Sequence, residues 1–205
     1  IVVLAVKPQI LPEVLAEIAA SVTGRELFVS IAAGFTIPRL ERALGAKARV
    51  VRVMPNTPAL VGQGMSVLVR GRAATPADER TVLRLLRAVG DAIAVRDEAL
   101  LDPVTGLSGS GPAFVYLFAE ALMSGAESEG LSSDVSRRLA IRTIEGASAM
   151  LRETGMTPKA LRDMVTSPGG TTLAGLDALD RGEFAETVSG AVRAATARSR
   201  ELGRG

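Results

Sequence analysis

The feature that most constrains this chain is an alternation of apolar strand-like runs and helical patterns that fills its first half and then stops. Ile1-Val2-Val3-Leu4-Ala5-Val6 is a continuous β-branched apolar run ended by Lys7-Pro8, the pattern of a strand buried on both faces of a parallel sheet. Pro12 opens a helical pattern through Val14, Leu15, Ile18, Ala19 and Val22 that ends at Gly24. Further strands are expected at 27–31, 49–54, 65–70 and 91–95, separated by a short helix capped by Thr36 and a helix running from Thr75-Pro76 to about Val89. Beyond residue 97 no strand pattern remains, and helices are expected near 98–107, 111–128, 132–154, 157–165 and 172–202. The chain thus reads as α/β, with a parallel sheet over 1–97 and an all-α domain over 98–205. It opens at Ile1 inside an apolar run and without Met, which reads as a missing N-terminal part.

Composition narrows the chemistry. With 47% hydrophobic and 22% charged residues, the 205-residue chain is not of the disordered class. No apolar run reaches the length of about 18 residues that a membrane-spanning helix needs. A net charge of +2 and 3% aromatics leave little with which to bind nucleic acid. Arg193, Arg198, Arg200 and Arg204 alternate with Glu186 and Glu201 and read as a solvated helix face. The chain has no Cys and no His, which excludes thiolate chemistry, a Ser-His-Asp triad and an imidazole base. What remains is backbone amides, hydroxyls, carboxylates, Lys7, Lys47 and Lys159, or a bound cofactor. No signal peptide is visible, so a cytoplasmic location is expected.

Three short loops follow strands of the first half: Val6-Lys7-Pro8, Ala32-Ala33-Gly34 and Pro55-Asn56-Thr57. Ligands of open parallel sheets sit outside the carboxyl ends of the strands, so these small or proline-stiffened loops are candidates to line a crevice for a planar cofactor. Tight strand–helix turns favour the same residues without any ligand. In the second half, Thr105-Gly106-Leu107-Ser108-Gly109-Ser110-Gly111-Pro112 suits a tight helix crossing or a ligand contact. Ser167-Pro168-Gly169-Gly170-Thr171-Thr172 precedes a helix whose free N–H groups suit an anion, although an ordinary loop with a threonine cap has the same look. Glu98 stands where a carboxylate stabilises a helix start, and it could also orient a substrate.

These five segments, met in this order and joined by Ala5 and Gln9 in the first and by Met54 and Pro58 in the third, resemble the pyrroline-5-carboxylate reductase family over essentially the whole chain. The resemblance implies a Rossmann-like dinucleotide-binding domain, of which 1–97 is the C-terminal portion, followed by a helical substrate-binding and dimerisation domain over 98–205. It implies reduction of 1-pyrroline-5-carboxylate to L-proline with NADPH or NADH, and at least a homodimer. It places Ala5, Val6, Lys7, Pro8, Ile31, Ala32, Ala33 and Asn56 along the cofactor. It places Glu98, Ser167, Gly170, Thr171 and Thr172 at the substrate, with Thr172 facing the imine nitrogen; no metal is implied. The family's Gly-x-Gly-x-x-Gly turn is not found in this sequence. Two rivals are a β-hydroxyacid dehydrogenase, for which Lys159 is the only lysine in the helical part, and an inactive helical oligomerisation module.

Overall fold

A computed structural model describes residues 1–204. The chain divides into two compact units, one comprising Ile1–Pro112 with the stretch from Gly190 onward and the other Ala113–Ser189.

The first unit is built on five strands, β1 (Val2–Leu4), β2 (Leu27–Ser30), β3 (Arg49–Met54), β4 (Gly64–Arg70) and β5 (Gly90–Ala94), which lie in that order across the sheet. β1, β2 and β3 are parallel, as are β4 and β5, but β3 and β4 are antiparallel. The exception follows from chain length: residues 55–63 hold only a 3₁₀ turn at Thr57–Val61, and a parallel crossover needs about a dozen residues or more. The reversal also sorts the helices. α1 (Leu11–Ala19) and α2 (Ile37–Leu44) share one face, as the general preference for right-handed crossovers requires, and their Leu11, Leu15, Leu40 and Leu44 pack on Leu4, Phe28 and Val50. With β4 and β5 running the other way, α3 (Pro76–Leu86) falls on the opposite face, and its Val82 packs with Leu27, Val29, Val51, Val53 and Leu68. β1 is the outer strand of the described sheet. Of its three residues only Leu4 is buried, so the double-sided burial expected for this run is not found.

The start of α3 lies where its sequence places it, at Thr75-Pro76. Thr75 Oγ1 accepts from the Asp78 N–H at 3.2 Å, and Asp78 Oδ2 accepts from the Thr75 N–H at 2.8 Å, a capping box. The other oxygen of Asp78 meets Arg49 Nη1 at 2.7 Å. Burial alone would raise this carboxyl, but the Thr75 donors and the Arg49 guanidinium together hold it below its ordinary value. A depressed carboxylate stabilises the fold above its unfolded pKa of about 4 and loses that contribution as pH falls below it. Asp78→Asn is therefore expected to cost about 1–2 kcal/mol at pH 7. Denaturant titrations should show the gap between variant and wild type closing as pH falls through about 4.

At α2 the structure departs from expectation. Thr36 occupies the cap position, but its side chain makes no capping bond. The Ile37 N–H is taken instead by Glu98 Oε1 at 2.7 Å, from 61 residues further along.

After β5 no strand follows among the described residues. A 3₁₀ turn at Glu98–Leu100 leads into α4 (Leu101–Val104) and then a wide π turn at Thr105–Gly109, closed by Ser110 N–H to Thr105 C=O at 2.8 Å. Gly106 settles one choice left open by the sequence. A Cβ there would lie 2.2 Å from Thr196 Oγ1 and 2.7 Å from the Val192 carbonyl oxygen, so Gly106 serves a tight helix crossing. Ser199 adds a hydrogen bond to Asp102 at 2.7 Å along the same crossing.

The second unit contains most of α5 (Gly111–Ser128), then α6 (Ser133–Thr154), α7 (Pro158–Met164), α8 (Thr171–Arg181) and the start of α9 (Phe184–Arg204). The helical stretch expected at 172–202 is broken at Gly182-Glu183, where Glu183 takes a positive φ of 52°. Between Ala113 and Ser189 only Ser136 and Ala140 are buried among the described residues. Leu117 is 66% exposed beside Val115 and Tyr116. A groove of about 330 Å³ between α6 and α7 is lined by Met150, Leu151, Leu161, Met164 and Val165. α5 carries apolar side chains over most of its surface and buries none of them, a pattern that belongs in a core.

Candidate active site

Because β1, β2 and β3 are parallel, their carboxyl ends share one edge of the sheet, and the three loops singled out in the sequence meet there. The Ile31 N–H donates to the Leu4 carbonyl at 3.2 Å and joins the first two loops. The Lys7 carbonyl accepts from Ile10 and Leu11 at 3.0 and 3.2 Å, which turns residues 5–8 into the start of α1. Ala32 is buried and donates to Ser30 Oγ at 3.4 Å, while Ala5, Lys7 and Ala33 are exposed. Gly34 has a φ of +73°, and a Cβ on it would lie 3.1 Å from the Leu202 carbonyl oxygen. The last turns of α9 thus pack directly behind the second loop.

Residues 5–8 and 31–33 offer backbone donors and acceptors, one lysine, no carboxylate and few bulky side chains. That donor set fits a flat, anionic dinucleotide. Asn56 lies at the same edge after β3, yet its side chain turns away to protein partners. Its Oδ1 accepts from the Met65 N–H at 2.8 Å, and its Nδ2 donates to the Ser108 carbonyl and hydroxyl oxygens at 3.2 and 3.3 Å.

Glu98 has a structural task that the sequence did not reveal. Its Oε1 accepts both from the Ile37 N–H and from Arg52 Nη1, each at 2.7 Å. Arg52 is a buried cation in β3, and a buried charge needs a partner. One carboxylate oxygen thus neutralises Arg52 and caps α2, the helix that follows the second crevice loop. The only sequence signal was an arginine inside the apolar run Val50-Val51-Arg52-Val53.

The segment 167–172 lies in the helical unit. Gly169 adopts a positive φ of 70°, which favours glycine, while a Cβ on Gly170 would first meet the rotatable Ser167 hydroxyl. The Gly170 N–H donates to the Ser167 carbonyl at 3.0 Å. Gly170 caps α8 without a side-chain bond, leaving the N–H groups of Thr171, Thr172 and Leu173 as the first-turn donors that no helix satisfies internally. Thr171 is exposed and Thr172 half-buried. Lys159 is 75% exposed and paired with Asp163 at 2.6 Å, the setting of a surface ion pair. No group of three or more His, Cys, Asp or Glu side chains suited to a metal occurs among the described residues.

Parallel strand ends lined by backbone donors and free of carboxylates are the edge at which α/β proteins receive dinucleotides. Residues 98–202 match the sequence model for the pyrroline-5-carboxylate reductase dimerisation domain. The chain is 46% identical to pyrroline-5-carboxylate reductase of Glycine max over 98% of its own length and 73% of that protein. It is 46% identical to the Methanosarcina acetivorans protein of the same name, over 100% of this chain and 75% of that one. It superposes on the Coxiella burnetii reductase with a TM-score of 0.91 at 38% identity, covering 98% of this chain and 74% of that one. With the Plasmodium falciparum enzyme, solved with NADP bound, the TM-score is 0.92 at 36% identity, covering 98% and 76%. The chain belongs to the pyrroline-5-carboxylate reductase family.

Proposed function

We propose that this chain reduces 1-pyrroline-5-carboxylate to L-proline with NADPH or NADH, the last step of proline biosynthesis. The observation that carries this reading is 46% identity to named reductases across 98% of the chain, a span that includes both the strand-end loops and the 167–172 turn. Residues 5–8 and 31–33 would hold the dinucleotide, with Lys7 the one cation among them. When bound, that cofactor supplies the hydride. The first-turn N–H groups of Thr171 and Thr172, beside Ser167, receive the substrate carboxylate, a helix N-terminus being a natural anion site. The Thr172 hydroxyl hydrogen-bonds the ring nitrogen and fixes which face of the C=N bond is presented. A cyclic imine can arrive already protonated, so a chain without histidine has what the reaction needs. Glu98 supports the crevice through Arg52 and α2, and we assign it no direct contact with substrate.

The exposed apolar helices of 113–189 support a homodimer as the working unit. Thr172→Ala is expected to lower kcat/KM by a factor corresponding to about 1–3 kcal/mol, with stability unchanged. Steady-state kinetics with NADPH and 1-pyrroline-5-carboxylate measure this, and an unaltered kcat/KM removes Thr172 from the mechanism.

A further inference from the structure

We propose that Asn56 is a positioning residue, whose side-chain amide ties the carboxyl end of β3 to the π turn at Thr105–Gly109 and so fixes one wall of the crevice. The proposal rests on the reductase reading, and it replaces direct contact between the Asn56 side chain and the dinucleotide. An asparagine amide offers one acceptor oxygen and two N–H donors. Here the oxygen takes the Met65 N–H at the start of β4, and the nitrogen serves both oxygens of Ser108. The arrangement answers a need of the backbone. A π turn departs from the regular helical ladder, and the residue four positions beyond Ser108 is Pro112, which has no N–H to give that serine's carbonyl. Asn56 Nδ2 supplies that donor to the Ser108 carbonyl.

A second contact holds the same junction. A Cβ on Gly109 would lie 2.6 Å from Met54 Cε, so the π turn rests on both Met54 and Asn56 at the end of β3. Aspartate at 56 would keep the acceptor for Met65 but lose the donor to Ser108. Alanine would lose both, and glutamine would overreach by one methylene. The Gly-rich segment that begins at Thr105 thereby acquires a second task beyond its helix crossing. It presents the Ser108 backbone to the edge where the β1, β2 and β3 loops converge.

The test compares Asn56→Asp and Asn56→Ala with the wild-type chain in three measurements. These are amide hydrogen exchange over 105–110 without ligand, the NADPH dissociation constant from nucleotide fluorescence, and kcat with 1-pyrroline-5-carboxylate. The Asp variant keeps the Met65 bond and guards against simple misfolding of the Ala variant. Exchange over 105–110 is expected to quicken about tenfold or more in both variants. With it, kcat should fall about tenfold or more while the NADPH dissociation constant moves by less than about threefold. A dissociation constant weakened about tenfold with exchange unchanged would make Asn56 a direct cofactor ligand and overturn the proposal. Faster exchange with normal kcat would also overturn it, leaving a purely structural bond. If the wild-type chain binds NADPH yet does not reduce 1-pyrroline-5-carboxylate, the reductase reading fails, and the exchange data alone decide whether Asn56 holds the turn.

Discussion

Glu98→Ala is expected to destabilise the strand-containing unit by about 3 kcal/mol, near the lower end of what breaking a buried ion pair costs. The reason is what it strands. Arg52 is 7% exposed, and without Glu98 its guanidinium loses the carboxylate 2.7 Å away while α2 loses the acceptor on its first N–H. Glu98 itself is partly open to solvent, which keeps the figure from the top of the range. Glu98→Gln separates the two contributions. An amide oxygen can still accept from Ile37, so the cap survives and only the charge on Arg52 goes unanswered, at a cost of about 1–2 kcal/mol. Urea titration of both variants gives the stabilities, and nucleotide titration shows whether the loop ahead of α2 loosens with them. A variant of normal stability with a raised KM for the imine acid alone would restore Glu98 to the substrate pocket.

Gly106→Ala is the other substitution expected to be severe, at about 3 kcal/mol. The added methyl overlaps Thr196 Oγ1 and the Val192 backbone, and the backbone atom cannot swing aside as a side chain would. Gly111, five residues along the same glycine-rich segment, has nothing within 4 Å of its Cβ position. Gly111→Ala should therefore fall within about 0.5 kcal/mol of wild type. Thermal unfolding of the pair tests the crossing directly. Equal effects at the two positions would mean that the segment needs glycine for backbone freedom and not for close approach.

The parts of this architecture that could be read from sequence are those set by neighbours in the chain. Thr75-Pro76 announces the start of α3, and the structure adds a capping box there through Asp78. The loops at 5–8 and 31–33 could be assigned to one edge because they follow parallel strands. The antiparallel entry of β4 was hidden because Met65–Arg70 has the same apolar pattern in either direction; only the shortness of 55–63 excluded a crossover. Thr36 looked like a cap because its position is right, yet the bond goes to Glu98, whose approach depends on tertiary packing. Asn56 was legible as a loop residue at the crevice, but not its partners Met65 and Ser108, the latter 52 positions away. In the 167–172 turn the glycines were legible, whereas the bond that engages the Gly170 N–H depends on the path the backbone takes through Gly169.

The near-absence of buried side chains between Ala113 and Ser189 bears on heredity as much as on folding. A helical unit whose apolar faces are closed by another chain has part of its free energy of folding written in that other chain, so its folded fraction rises with its own abundance. Where a damaged copy and an intact copy are made together, damage at these faces is shared with the intact partner in every mixed pair. Damage confined to the centre of the sheet, where the buried clusters are built from one chain, stays with the copy that carries it.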